Sequence, residues 1–216
     1  MILLGFDTCL DKMYIALCND SDILESKIVT NTNEHYHSAF LISNIRNILK
    51  NNNLTPQNID AIAINIGPGS FTGIRACATV SRVFSQGTAA KTIGVSSLEI
   101  IANINKTAQK TLVAMDARKG MAYIAIYEDN IEILKPQAVM LDEVKRMILN
   151  NDYFVITDNS LEPILGGISY QKIGDNLGEY LIKIAKQRLS SGAETDWKKL
   201  HPLYIMPPSV TMKKNC

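Results

Sequence analysis

One short pattern occurs once in each half of the chain, and it limits the possible folds more than any other feature. Asp7 closes an apolar run and is followed seven residues later by Tyr14-Ile15-Ala16-Leu17. Asp116 closes a second run and is followed seven residues later by Tyr123-Ile124-Ala125-Ile126. A carboxylate at the end of a first strand, with the same hairpin after it, points to an internal repeat. The flanking runs extend the match. In the first half Ile2–Thr8, Met13–Asn19 and Ile23–Thr30 read as an antiparallel meander, parted by short turns containing Asp and Asn. A helix is expected from about Glu34 to Lys50, with Asn33 placed as its N-cap, then a strand Ala61–Ile66, a helix over 71–87, a strand Thr92–Val95 and a helix from Ser97. The second half restarts with strands Thr111–Asp116, Met121–Tyr127 and Ile131–Leu134. A helix Leu141–Asn150, a strand Tyr153–Thr157 and a helix Asn176–Leu189 follow.

The expected fold is therefore α/β, two βββαβα lobes in tandem, as in actin-like (ASKHA, ribonuclease-H-like) proteins. The lobes are expected at 1–106 and 107–196, joined across the polar Asn103–Lys110 segment, with a tail at 197–216. The length suits one large domain or two small ones with ample core. Net charge is +1, without a long basic run, so the chain alone is a poor nucleic-acid binder. The cysteines at 9, 18, 77 and 216 are scattered, which fits a reducing cytosol and neither a disulfide framework nor a zinc ribbon. No apolar run approaches the roughly 20 residues of a membrane span. Asp7 within the first apolar run, and the lack of a basic start, argue against a signal peptide, so a cytoplasmic location is expected.

The stretch Gly67-Pro68-Gly69-Ser70-Phe71-Thr72-Gly73-Ile74-Arg75 turns a buried strand into a helix N-terminus, where α/β proteins often bind anions. It matches neither known phosphate motif. Gly67 and Gly73 are one residue too far apart for a P-loop, and Ile74 stands where its Lys is needed. The third glycine falls one place late for a dinucleotide fingerprint. A tight structural turn is the favoured reading, with Gly67, Pro68, Gly69 and Gly73 as its shaping residues.

With Phe6-Asp7-Thr8 before this loop, and Ile93-Gly94-Val95-Ser96-Ser97-Leu98, Asp116-Ala117-Arg118-Lys119-Gly120 and Pro202-Leu203-Tyr204 after it, the chain resembles the TsaB (YeaZ-like) family over nearly its whole length. These are dimerisation subunits of the bacterial threonylcarbamoyl-adenosine tRNA-modification machinery. In the tail, Met206 follows Tyr204-Ile205 where the family often has Arg. The resemblance implies a subunit without its own catalysis. It implies pairing with a TsaD-like catalytic paralogue, docking of a TsaE-like ATPase on the pair, and homodimers when the chain is alone. It also implies no cofactor in the isolated chain, ATP use only by the whole complex, contact with tRNA only through that complex, and no membrane. The alternative is an ATP-dependent phosphotransferase or metallopeptidase of the same fold.

Residue by residue, catalysis and a metal are not expected. The paralogue's paired metal-binding histidines, four apart on a helix, correspond here to Ser97 and Ile101. Its flexible Ser-Gly-Gly-His stretch corresponds to Asp116-Ala117-Arg118-Lys119, whose carboxylate would repel phosphate. His35 and His37 point about 200° apart on a helix, so they do not share a metal there. Asp7 reads as a hairpin cap. What remains is surface. Two helices carry broad apolar faces, and small residues at Ala76, Cys77, Ala78, Ser81 and Ser85 suit close approach by another helix. The resemblance makes these helices the partner-binding face, with Leu41, Ile45, Ile48, Ile74, Cys77, Ala78, Ser81 and Phe84 as the expected contact residues.

Overall fold

The computed structural model describes residues 1–20, 22–31 and 37–207. Strands β1 (Ile2–Asp7), β2 (Met13–Asn19) and β3 (Asp22–Val29) form the first meander. Helix α1 (Leu41–Asn51), β4 (Ala61–Asn65), α2 (Phe71–Thr88), β5 (Lys91–Val95) and α3 (Ser97–Ala102) complete the first repeat. The second repeat opens with β6 (Thr111–Arg118), β7 (Met121–Glu128), β8 (Ile131–Met140), α4 (Leu141–Leu149) and β9 (Phe154–Thr157). It closes with the short α5 (Glu162–Leu165), β10 (Ile168–Ser169) and α6 (Tyr170–Ile173), then the long α7 (Leu177–Ser190).

The strands make two five-stranded sheets, β3-β2-β1-β4-β5 and β10-β9-β6-β7-β8. Read from the opposite edge, the second order is the first. In both, the meander is antiparallel and the last two strands add in parallel. This is the expected α/β actin-like duplication. The sequence reading missed α5, β10 and α6, which are two to four residues long and carry too little pattern to show a period.

The first helix starts later than its hydrophobic spacing suggests. A 3-10 turn at His37–Phe40 precedes α1, and the regular helix begins at Leu41. The Phe40 carbonyl accepts the Ser43 hydroxyl at 2.9 Å and the Asn44 side-chain amide at 2.9 Å, side-chain bonds that compete with helix propagation. The expected Asn33 cap, and His35, lie outside the described residues.

Side-chain size sorts the helices onto the first sheet. Leu4, Phe6, Ile62 and Ile64 face one way and pack under α1 and α2. Alternate positions put Leu3, Ala16, Ala61 and Ala63 on the other face, against α7. Small residues there let α7 come close. A Cβ on Gly5 would meet the Ile182 side chain at 2.9 Å, and a Cβ on Gly178 would meet Ala16 at 3.4 Å. So α7, which follows the second sheet in the chain, covers the first one. The central core also takes in α3, with Val113, Met115 and Ala125 from the second sheet. A third apolar cluster, with Ile124, Val144 and Leu161, lies under α4 and α5.

The tightest approach is at the start of α2, where a Cβ on Gly73 would overlap the Thr8 carbonyl oxygen. Both atoms belong to backbone, so relief needs the helix to move. Gly73→Ala is expected to lower the unfolding free energy by about 3 kcal/mol. Gly87, on the same helix, has nothing within 4 Å of an added Cβ. Gly87→Ala should raise stability by up to about 1 kcal/mol. Urea denaturation of the two variants checks both signs.

Candidate functional site at the strand ends

The glycine loop closes over the ends of β1 and β4. Gly67 has φ of 101°, a conformation that favours glycine, and the Gly67–Pro68 peptide is cis. A Cβ on Gly69 would strike the Cys9 carbonyl oxygen, which accepts the Ser70 N–H at 2.7 Å. Ser70 caps α2 by accepting the Gly73 N–H at 3.3 Å.

Beneath the loop lies a connected set of buried polar groups. Asp7 is 0 % exposed. Its Oδ1 accepts the Cys9 N–H at 2.6 Å and its Oδ2 accepts the Asn65 side-chain amide at 2.8 Å. The Asn65 Oδ1 in turn accepts the Gly67 N–H at 2.8 Å. The Ser97 hydroxyl lies 2.9 Å from that same oxygen and 2.6 Å from the Pro68 carbonyl. Thr8 donates its N–H to the Cys77 sulfur at 3.2 Å and its hydroxyl to the Gly73 carbonyl at 2.8 Å. Burial pushes the Asp7 carboxyl up to about 6, against the lowering pull of Asn65 and the Cys9 N–H.

Asp7, Cys9 and Cys77 place one oxygen and two sulfurs within 4.8 Å of one another, which makes them the candidate metal donors among the described residues. Both sulfurs are already bonded within the chain, Cys77 accepting the Thr8 N–H at 3.2 Å. Burial holds the Cys9 thiol well above its ordinary value, and it donates to the Asn65 carbonyl at 3.3 Å. A soft cation would need both thiols deprotonated in a site without solvent.

The Asp pair of the repeat shares one geometry. Asp116 Oδ1 accepts the Arg118 N–H at 2.7 Å, the same two-residue cap that Asp7 makes to Cys9. Asp116 is exposed where Asp7 is buried, and its own N–H donates to Asp158 at 2.6 Å. Asn65 carries no motif in the sequence, and Thr8 and the tail enter there only as parts of the family resemblance. Asn65 ends a plain apolar run, and only its place at a strand end before a glycine signals a role. The tail crosses the loop. The Leu203 N–H donates to the Ile66 carbonyl at 2.8 Å, Arg82 donates to the Leu200 carbonyl at 2.5 Å, and Tyr204 stacks on Phe71 with centroids 5.5 Å apart.

Of the expected contact residues, Leu41, Ile48, Ile74, Cys77, Ala78 and Ser81 are buried in this chain's own core. They form the inner faces of α1 and α2. Ile45 and Phe84 reach the groove between the two helices, a cleft of about 1060 Å³ also lined by Ile42, Leu49, Val80 and Val83. Ile42 is 69 % exposed and Val83 64 %, a large apolar exposure for one continuous patch.

Tandem sheets of one topology, closed over a buried carboxylate, define a duplicated actin-like protein whose strand-end site is sealed by its own side chains. The family described as TsaD, tRNA N6-adenosine threonylcarbamoyltransferase, matches residues 23–162, and the chain belongs to it. Within it the chain is TsaB-like. It is 26 % identical to the Escherichia coli tRNA threonylcarbamoyladenosine biosynthesis protein TsaB, covering 95 % of this chain and 94 % of that one. It is 27 % identical to the Bacillus subtilis TsaB over 77 % of each chain. An uncharacterized Pseudomonas aeruginosa protein with similarity to peptidase YeaZ shares the fold, with a TM-score of 0.76 at 20 % identity, over 95 % of this chain and 99 % of that one. Among the described residues no helix is long and apolar enough to cross a membrane.

Asp7 yields a pH test. Its folded value of about 6 lies above the ordinary 3.8, so the folded state binds the proton more tightly than the unfolded chain does. Its favourable contribution is complete below pH 3.8 and is lost as pH rises through about 6. Across that window it amounts to about 3 kcal/mol. Asp7→Asn should flatten this part of the stability profile, measured by urea unfolding from pH 4 to 7. A variant profile parallel to the wild type would show that Asp7 is not the group responsible.

Proposed function

We propose that this chain is the non-catalytic, dimerising subunit of a cytoplasmic assembly that forms threonylcarbamoyladenosine in tRNA next to the anticodon. Its groove between α1 and α2 receives a TsaD-like catalytic subunit, and a second copy of the chain takes that place when the partner is absent. A TsaE-like ATPase docks on the pair. The isolated chain needs no cofactor, ATP is used by the whole assembly, and tRNA is met through it.

The exposed apolar groove carries this reading, because Ile42 and Val83 lie open on helices whose inner faces are already packed on this chain's own sheet. The sealed strand-end site supports the non-catalytic part. Asp7 has both carboxylate oxygens bonded within the chain. Of the two positions matching the paralogue's histidines, Ser97 is committed to Pro68 and Asn65, and Ile101 is 0 % exposed in the core. An active carboxylate has to reach its substrate, and this one has no exposed surface.

Two experiments test it. Purified TsaD-like and TsaE-like partners, tRNA and a threonylcarbamoyl-adenylate source should give modified tRNA only when this chain is added; undiminished product on omission refutes the role. Ile42→Glu with Val83→Glu should weaken pairing by at least about 100-fold, since charges would be buried unpaired. Because both side chains are exposed in the free chain, its circular dichroism should not change. Unchanged sedimentation and co-purification would move the interface elsewhere.

A further inference from the structure

On the opposite face of the first sheet from that groove, two lysines converge on one residue. Asn103 follows α3 and is buried. The Lys106 ammonium donates to its main-chain carbonyl at 2.9 Å. The Lys183 ammonium, from α7, reaches its side-chain Oδ1 at 3.3 Å. The Asn103 amide is held in that orientation because its Nδ2 donates to the Glu99 carbonyl at 3.1 Å. Lys106 also lies over the Tyr180 ring, 4.1 Å from its centroid.

Both ammonium groups therefore rest on neutral partners. Neither takes part in the ion pairs found among the described residues. The nearby carboxylates have other bonds. Asp175 accepts the Tyr180 hydroxyl at 2.7 Å, and Glu179 accepts the Ser26 hydroxyl at 2.6 Å. Asp175 still attracts Lys106, but burial and the charge of Lys183 outweigh it and hold Lys106 below its ordinary value. Two like charges brought together without a counter-ion are relieved by an anion, and each ammonium keeps two N–H donors beyond its bond to Asn103. Lys183 also lines a cleft of about 530 Å³, together with Lys186, Gln187, Tyr180, Glu179 and Ile23 among others.

We infer that Lys106 and Lys183 form a binding site for a single phosphate group, seated beside Asn103 where Lys183 borders this cleft, with Lys186 and Gln187 further along its lining. Two cations match the charge of about −1.5 to −2 that a phosphate monoester carries at neutral pH. Asp175 and Glu179 line the same cleft and repel a polyanion laid along it, which favours one terminal phosphate over a run of phosphodiesters. The site is separate from the α1/α2 groove and stands whether or not a partner binds there.

The test uses the full chain with 13C at lysine Cε, titrated with inorganic phosphate at constant ionic strength. The Lys106 and Lys183 signals should move together on one saturating curve, and Lys106 should titrate at higher pH with phosphate present. Lys106→Gln or Lys183→Gln should weaken binding by at least about fivefold, the loss of one charge-assisted contact. Lys135→Gln, on exposed β8, should leave it unchanged. Shifts that do not saturate, that spread evenly over all lysines, or that survive both substitutions overturn the site. Saturation by an RNA hairpin but not by inorganic phosphate also overturns it, and would assign the lysines to a nucleic-acid backbone.

Discussion

The backbone contact between Gly73 and Thr8 sets the position of everything around it. A residue with no side chain lets α2 begin directly against the backbone of Thr8, just past the end of β1, and the Thr8 hydroxyl ties down the Gly73 carbonyl. One turn later Cys77 takes the Thr8 N–H. Ser81 and Ser85 follow at the same four-residue spacing, both buried, and Ser85 shares a 2.6 Å hydroxyl contact with Thr92 of β5. Gly73, Cys77, Ser81 and Ser85 thus form one stripe laid against the chain's own sheet. With that face fixed, Val83 is turned outward and Val80 is left half-buried at the groove. The groove between α1 and α2 is a consequence of how closely α2 sits on β1.

Small residues along a helix signal close approach, but spacing alone does not say to what. That ambiguity explains where sequence and structure part. Cys77 and Ser81 read as a surface for another helix, yet the sheet below them is the neighbour they meet. Ile42 and Val83 carried no distinguishing signal, because an apolar residue on a broad apolar helix face looks the same whether it points in or out. The element order, by contrast, was legible almost throughout. Each strand of the meanders has its own alternation or apolar run, and the repeated Asp and Tyr-Ile-Ala pattern marks corresponding hairpins. The loop was legible as a turn, since Gly67 and Gly69 lie where only glycine fits. The carboxylate network was not, because Asn65 and Ser97 are far apart in sequence and ordinary in type.

The choice of sheet for α7 is a further thing that periodicity cannot express. Its inward residues Leu181, Ile182 and Ala185 would suit either sheet. Gly5, Ala16, Ala61 and Ala63 decide it, by lowering the surface of the first sheet on that side. The larger Leu4, Phe6, Ile62 and Ile64 go under α1 and α2. In return α3, from the first repeat, packs with Val113, Met115 and Ala125 of the second sheet. Each repeat therefore supplies a helix to the central core, and neither half completes that core alone.

This exchange gives the buried Asp7 a structural purpose. Its two oxygens hold the Cys9 N–H and the Asn65 amide, and Asn65 passes the connection through Gly67 to Ser97 at the start of α3. One carboxylate thereby joins β1, β4, the glycine loop and the helix that reaches the second sheet. A carboxylate suits this position because it offers acceptors on both sides, whereas an asparagine would turn a donor toward the Asn65 amide. The desolvation that raises Asp7 to about 6 is the measure of how far the group is removed from water. The equivalent Asp116 makes the same cap while exposed, without reaching a second helix, so the capping geometry belongs to the repeat and the burial belongs to the linkage.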